Sequence, residues 1–302
     1  MKIRVMVSRH SAFYSPLIST LAAGFLDDAG HSADYSVLGA GQRSHELIRD
    51  GAVDIMQSAV SSNWKPMDRG QSPLPVHFAL INRRDGFFLA GRAPDAAFEW
   101  KKLEGSTLLA DHGLQPLVML RYAAHYNGVD WSRINVVDRG TPDEMLEAFR
   151  RGEGDYVHLQ APGPQILEEA GAGSTVVSVG ASMPEVAFST LCCSREFMET
   201  EPFRDFVRAY ANARQWVRQA DPVEVAVKEA GYFPGVSRDA LAGAISRYQK
   251  LGNWDGGMEI TKELYEQALN VFEYTGEVTQ RYPWESVCAT LPGAPNGSKM
   301  VP

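Results

Sequence analysis

The chain is expected to fold as an α/β protein of two lobes built on one plan, with a cleft between them. Two observations predict this. The stretch Val37 to Trp64, VLGAGQRSHELIRDGAVDIMQSAVSSNW, reads as strand end, glycine loop, short helix, glycine stop, buried strand and Ser-rich loop. The same order returns roughly a hundred residues later in Val136 to Pro164, VVDRGTPDEMLEAFRRGEGDYVHLQAPGP. There Gly140 stands for the loop glycine, Gly152 and Gly154 for the stop, and Asp155 for Asp54. Parallel α/β sheets bind ligands at the carboxyl ends of their strands, where unpaired N–H groups and helix N-termini collect. Two such ends facing each other make a cleft.

Composition sets the limits. A chain of 302 residues is long enough for one large or two medium domains with a sizeable core. The net charge of -8 argues against a nucleic-acid surface. No apolar run approaches the roughly 18–20 residues of a membrane span. The N-terminus alternates apolar and polar from Lys2 to Val7, so the chain opens as a strand and shows no secretory leader. The expectation is therefore a cytoplasmic protein, or a periplasmic one whose leader lies outside the given sequence. Cys192, Cys193 and Cys288 are an odd set without metal-ligand spacing, which argues against a disulfide framework. The two adjacent cysteines are expected reduced and buried in a strand.

In chain order, residues 2–7 form the first strand and residues 8–16 the loop at its carboxyl end. A helix over 17–29 buries Leu17, Leu21 and Phe25 and stops at Gly30. Residues 33–38 are the second strand. Ser44 is placed to cap a helix burying Leu47 and Ile48, and Gly51 ends it. The third strand covers 53–56 and runs into the loop 57–63. After a Gly-, Ser- and Pro-rich loop, 76–81 is a strand. The strand at 87–91 is the first crossing into the second lobe. A strand over 106–110, a helix over 117–126 with Pro116 in its first turn, and a strand over 134–137 lead into the repeated unit. A helix over 165–170 and a strand over 176–179 complete that lobe. Residues 184–188 are the return crossing, and 189–193 is a strand of the first lobe. Helices follow at 202–220, 223–230, 238–251 and 260–275. Little in the tail from Leu291 can be buried, so a disordered segment or surface strap is expected there. The lobe boundaries are 1–88 plus 189–302 for the first lobe and 89–188 for the second.

The candidate ligand contacts come from the loops after the strands. His10 and Tyr14 in the first loop offer a donor and a ring, and Phe13 beside them is a stacking ring or lobe core. Arg9, and Arg43 in the glycine loop, are candidates to pair with a carboxylate, sulfonate or phosphate. Gln42 shares that loop. Gln57, Ser58, Ser61, Ser62 and Asn63 supply hydroxyl and amide partners, the alternative being ordinary turn chemistry. Trp64 is a cleft wall or a core anchor. Asp111, His112 and Gln115 follow the second-lobe strand, and His158 and Gln160 hold the matching place in the repeated unit. An Asp–His pair is a possible acid–base couple. In this fold it reads more simply as a hydrogen-bonding contact. Glu185, near the return crossing, is a candidate acceptor for a ligand amine. Gly-x-Ser-x-Gly, P-loop and His-Glu-x-x-His patterns are absent, and Gly39-x-Gly41 lacks the third glycine of a dinucleotide site. No catalytic group, metal site or cofactor is expected.

Four stretches carry a resemblance to a known family. They are His10-Ser11-Ala12-Phe13-Tyr14, Gly51-Ala52-Val53-Asp54, Leu103-Glu104-Gly105, and Ser194-Arg195-Glu196-Phe197 with Phe206-Val207-Arg208-Ala209-Tyr210. In order and spacing they resemble the type II solute-binding proteins of ABC transporters. The nearest branch binds nitrate, sulfonates, taurine or the pyrimidine precursor of thiamine. The resemblance implies a two-lobe type II periplasmic-binding-protein-like fold, with a hinge and an interlobe cleft that closes on a small heterocyclic or anionic metabolite. It also implies an ABC transporter membrane component as a partner, with the chain itself not embedded in the membrane. A related branch makes a pyrimidine, using a Lys that carries pyridoxal phosphate and a nearby His after the Asp. The matching segment here, from Gln57 to Trp64, contains neither Lys nor His. An enzyme on the same scaffold acting on a pyrimidine- or thiamine-precursor-like metabolite is the alternative function. A third reading, the effector domain of a regulator, would need a DNA-binding segment that does not precede Lys2 in this sequence.

Overall fold

A computed structural model describes residues 1–291. The segment 292–302, on which most of the expected tail falls, lies outside the described residues. Ten strands are present among the described residues: β1 (Lys2–Val7), β2 (Ser32–Val37), β3 (Ile55–Ser58), β4 (Val76–Asn82), β5 (Phe87–Gly91), β6 (Thr107–Leu109), β7 (Asn135–Val137), β8 (Tyr156–Gln160), β9 (Ser174–Ser178) and β10 (Ser189–Cys193). They form two five-stranded sheets, in the orders β2-β1-β3-β10-β4 and β7-β6-β8-β5-β9. In each sheet the first three strands are parallel and the next is antiparallel to them. The two orders are one plan, with β2, β1 and β3 answered by β7, β6 and β8.

The repeated Gly-x-x-Asp pattern has a physical reason. β3 begins one residue after Asp54, so the N–H of Arg4 on the neighbouring strand has no ladder partner at that level. The Asp54 carboxylate accepts that N–H at 2.8 Å, while the Asp54 N–H donates to the Arg4 carbonyl at 3.0 Å. Asp155 repeats both bonds with Thr107, at 2.7 and 2.8 Å. Each Asp thus adds one side-chain rung to its ladder before the strand starts. The glycine stops Gly51 and Gly152 have φ of 66° and 97°, the left-handed region where a side chain is strained.

The chain passes from the first sheet to the second between Asn82 and Phe87 and returns between Ser178 and Ser189. The two passages run side by side. Phe188 N–H donates to Asn82 O at 3.1 Å, Val186 N–H to Arg83 O at 2.9 Å, and Val179 N–H to Phe87 O at 3.0 Å. Gly180 lies so close to the Asp85 backbone that a Cβ there would overlap its carbonyl oxygen.

The C-terminal helices fasten the two halves from one side. The helix Glu201–Gln219 buries Phe203, Phe206, Tyr210 and Ala213 and packs on the helix Ser15–Ala22. The helix Arg238–Lys250 reaches the crossing and the second half. Its Tyr248 hydroxyl donates to Gly86 O at 2.8 Å and accepts from Ala161 N at 3.0 Å, and its Arg247 pairs with Glu168 at 3.1 Å. Cys192 and Cys193 are buried, free thiols in β10, and burial pushes both up from the ordinary thiol value. No helix among the described residues is long and apolar enough to cross a membrane.

Candidate functional site

The carboxyl ends of β1 and β3 in one sheet face those of β6 and β8 in the other. Between them lies a cavity of about 310 Å³, whose walls include Arg9, Gln57, Ser58, Ser61, Gln115 and Gln160. Tyr14, Phe87 and Phe188 give it aromatic faces. This is near the lower end of the ~300–1,000 Å³ usual for small-molecule sites.

Each polar wall is fixed by its neighbours. The β1 strand delivers Ser8, whose N–H and hydroxyl both donate to Gln57 Oε1, at 3.0 and 2.8 Å. Gln57 Nε2 then donates to Ser58 O at 3.2 Å. A neutral amide held at both ends cannot swing away, so the floor of the cavity is rigid. From the other half, Gln115 sits in the first turn of the helix Leu114–Tyr126. Its Oε1 accepts from Ser61 at 3.0 Å and its Nε2 donates to Phe188 O at 2.6 Å. Ser11 donates to Ala161 O at 2.8 Å, also across the halves.

The strongest bond across the cleft is ionic. Arg9 Nη1 donates to the Asp111 carboxylate, whose other oxygen accepts the Gly113 N–H at 2.8 Å. The Asp111 side chain is 5% exposed and that of Arg9 26%. Burial opposes ionisation of Asp111, but the Arg9 hydrogen bond and charge, with the Gly113 N–H, outweigh it and hold the carboxyl below its ordinary value. Burial likewise works against the Arg9 charge, and Asp111 more than restores it.

Behind this pair lies His158, wholly buried and stacked on Phe87 with ring centroids 4.3 Å apart. Burial lowers it to about 3, so it is neutral at physiological pH, and neither ring nitrogen has a hydrogen-bond partner. Asp85, under the same aromatic layer, is pushed up to about 7 by burial, although its carboxylate accepts the Phe87 N–H at 2.6 Å. Burial raises the Tyr14 phenol to about 12. The site is thus a neutral, aromatic-backed hollow with one internally balanced ion pair.

Of the residues singled out in the sequence, the structure brings Arg9, Tyr14, Gln57, Ser58, Ser61, Ser62, Gln115 and Gln160 to the cavity wall. Asp111 and His158 form the layer behind it. The others are held elsewhere. His10 faces a second cavity, of about 340 Å³, where its Nδ1 meets the Tyr35 hydroxyl at 2.6 Å and its ring lies 4.5 Å from that of Phe233. Phe13 is fully buried core. Exposed Gln42 only closes its own loop, accepting from Gly39 N at 2.7 Å, and Arg43 lies 3.6 Å from Glu46. Asn63 is buried and donates to Pro75 O at 2.7 Å. Trp64, 1% exposed, is a core anchor donating to the Tyr265 hydroxyl at 3.2 Å. His112 sits on the Ala110 carbonyl at 2.8 Å, and Glu185 is engaged by Arg83 and Arg84 at 2.8 and 2.7 Å. Phe87, Phe188, Ser8 and Ser189 line the cavity without having been singled out. The signal for the two rings was available: both adjoin the crossings, and a chain passing between two lobes must border the cleft.

A larger hollow of about 640 Å³ lies beside Pro73, Leu74, Pro75, Ser194 and Arg195, at the far end of β10 from the cleft. Only residues of the first half line it, so relative movement of the halves leaves it unchanged. Among the described residues no group of three or more His, Cys, Asp or Glu side chains is placed to hold a metal ion.

Two like-ordered sheets, two adjacent crossings and a cavity at the facing strand ends define the periplasmic-binding-protein fold. Solved structures with this architecture match almost the whole chain. A ligand-binding component of an ABC-type import system from Staphylococcus aureus, with zinc bound, is 13% identical with a TM-score of 0.75, covering 96% of this chain and 97% of that one. An alkanesulfonate-binding protein from Xanthomonas axonopodis pv. citri bound to MOPS is 12% identical with a TM-score of 0.70, covering 96% and 98%. The periplasmic nitrate-binding protein from Synechocystis PCC 6803 is 14% identical with a TM-score of 0.66, covering 95% and 86%. In sequence, the chain is 23% identical over 290 residues to YtlA of Bacillus subtilis (strain 168), provisionally named a binding protein, covering 95% of this chain and 87% of that one. No protein-family model matches.

Proposed function

We propose that this chain is a small-molecule-binding protein that closes its two halves over one ligand, as the substrate-binding component of an ABC-type importer or a relative acting as carrier or sensor. The observation that carries the reading is the cavity at the facing strand ends, with Gln57 and Ser58 from one half opposite Gln115 and Gln160 from the other. A site split between two halves couples binding to their relative position. That coupling lets a membrane partner distinguish loaded from empty protein. The solute-binding proteins of like fold support the same reading, as does the pairing of glutamine and serine walls with aromatic faces. These groups hold and orient a ligand. None of them is a nucleophile set beside a base.

Native mass spectrometry of the purified protein tests the proposal, with calorimetry on any species it releases. The expected result is a stoichiometric small molecule, bound with a heat signal that Gln57→Ala weakens and Glu185→Gln leaves unchanged. Conversion of the released species into a product on prolonged incubation would replace binding by catalysis.

A further inference from the structure

Arg9 is the one formally charged residue on the described cavity wall. A lone arginine in a cleft ordinarily marks a site for an oxyanion, because the guanidinium fork matches carboxylate, sulfonate and phosphate oxygens. Here one arm of its fork, Nη1, is already taken. Asp111 takes Arg9 Nη1 from the opposite half, and is anchored from behind by the Gly113 N–H at 2.8 Å. Asp111 is 3% exposed as a residue, so water does little to screen its charge. An anion arriving at Arg9 would meet the buried negative charge of Asp111 just behind the positive one, and the repulsion offsets part of the attraction.

Nothing else nearby supplies a cation. His158 is buried and neutral, and Asp85 behind it could only add negative charge. Apart from the N-terminal turn of the helix Leu114–Tyr126, whose N–H groups border the wall at Gly113 to Gln115, what the cavity offers is neutral. Gln160 Oε1 is buried without a hydrogen-bond partner, while the Tyr14 phenol bonds to the same side chain. The hydroxyls of Ser58 and Ser62 and the rings of Phe87 and Phe188 complete the wall.

We infer that Asp111 is a specificity-determining residue that consumes the charge of Arg9, so that the cleft takes an uncharged ligand carrying N–H or O–H donors and rejects free oxyanions. The inference deepens the binding reading given above and rests on it. It separates this chain from the sulfonate- and nitrate-binding proteins that share its fold.

The test is a gain of function. Wild type, Arg9→Gln, Asp111→Asn and Asp111→Asn/Arg9→Gln are titrated with methanesulfonate and with nitrate by calorimetry and thermal shift. Asp111→Ser serves as the second variant should the Asn form not fold. Wild type is expected to be silent to both anions at millimolar concentration. Asp111→Asn is expected to gain at least a tenfold rise in anion affinity, and the added Arg9→Gln to abolish it. Anion binding by wild type that Arg9→Gln removes would overturn the inference and leave the cleft a binding site. A folded Asp111→Asn or Asp111→Ser protein that gains nothing would overturn it as well. Failure of the binding reading itself shows separately, as the absence of any species in native mass spectrometry.

Discussion

Glu229 has no contact with water, and two hydroxyls alone compensate its carboxylate, Ser15 at 2.8 Å and Ser19 at 2.6 Å. Burial raises it from 4.5 to about 8, with the two hydroxyl donors pulling the other way. The folded chain therefore binds this proton where the unfolded chain has lost it. The stability it contributes is fully present below about pH 4.5 and is lost as pH rises through about 8. Glu229→Gln should flatten that part of the decline, gaining on wild type toward alkaline pH, as read by urea unfolding on either side of the window. A variant whose pH profile parallels wild type would show that Glu229 is ionised in the fold. Ser61 and Gln115 carry a second expectation. Each of Ser61→Ala and Gln115→Ala should lower ligand affinity by up to about tenfold, the ~0.5–1.5 kcal/mol of a net hydrogen bond. The double variant should lose less than the sum, because both changes remove one bond. Calorimetry with the co-purified species checks the cycle. At this scale the sequence was partly legible. Gln57, Ser58, Ser61 and Gln115 were readable as cavity-wall residues because the loops at the strand ends border the cleft. The Arg9–Asp111 pair was not, since its members are 102 positions apart and pair only once two sheets face each other. Asn63 and Trp64 stand at the end of the same loop yet are buried, since a 3-10 turn over Val60–Asn63 runs directly into the short helix Trp64–Asp68 and points both side chains to the core.

Elements were more legible than residues, and their ends less than their existence. The helix expected over 17–29 is two helices, Ser15–Ala22 and Phe25–Asp28, broken at Gly24 with φ 89°. Gly24 falls inside the expected span and, with its left-handed backbone, turns the chain there. Ser44 is the first helical residue, with Arg43 at the cap and no side-chain capping bond. The helix expected from Leu117 starts at Leu114, which puts Gln115 in the exposed first turn and so beside the cleft. β3 runs from Ile55 to Ser58, two residues later than the apolar run, because Val53 and Asp54 are spent on the turn and on the side-chain rung. That rung yields an element-scale prediction. Asp54 is 7% exposed and also takes the Arg4 guanidinium at 3.0 Å, whereas Asp155 is exposed. Asp54→Ala leaves a partly buried N–H unpaired and strips the Arg4 guanidinium of its partner, and should destabilise by about 1–3 kcal/mol, while at Asp155→Ala water replaces the carboxylate and the loss should stay under about 1 kcal/mol. Urea midpoints of the two variants decide it; equal losses would show that burial does not set the difference.

At the scale of the whole molecule the repeated unit was the legible feature, since it encodes the same three-strand plan in each half, β2-β1-β3 and β7-β6-β8. How far apart the halves stand is not encoded in any one stretch. It is set by contacts between distant residues, and in this structure they hold the halves together. Arg9 meets Asp111, Ser11 donates to Ala161 O at 2.8 Å, and Ser61 donates to Gln115 at 3.0 Å. Opening the cleft must break all of these, while the paired crossings at Arg83 and Val186 and the Tyr248 contacts to Gly86 resist twisting about the hinge. The two serine bonds can be removed with little loss of core packing. Ser11→Ala with Ser61→Ala deletes two hydrogen bonds across the cleft, about 1–3 kcal/mol together, which shifts the open–closed equilibrium by roughly 5- to 150-fold toward open, while the Ser11 cap on the Phe13 N–H at 3.1 Å lies within the first half and is lost in open and closed forms alike. Small-angle scattering of the unliganded double variant should then give a larger radius of gyration than wild type. Ligand should restore the compact value at a higher concentration, because the binding-competent state is less populated at the outset. A double variant as compact as wild type, binding with unchanged affinity, would mean that the crossings and the remaining contacts between the halves, Arg9–Asp111 and Arg247–Glu168 among them, set the closure.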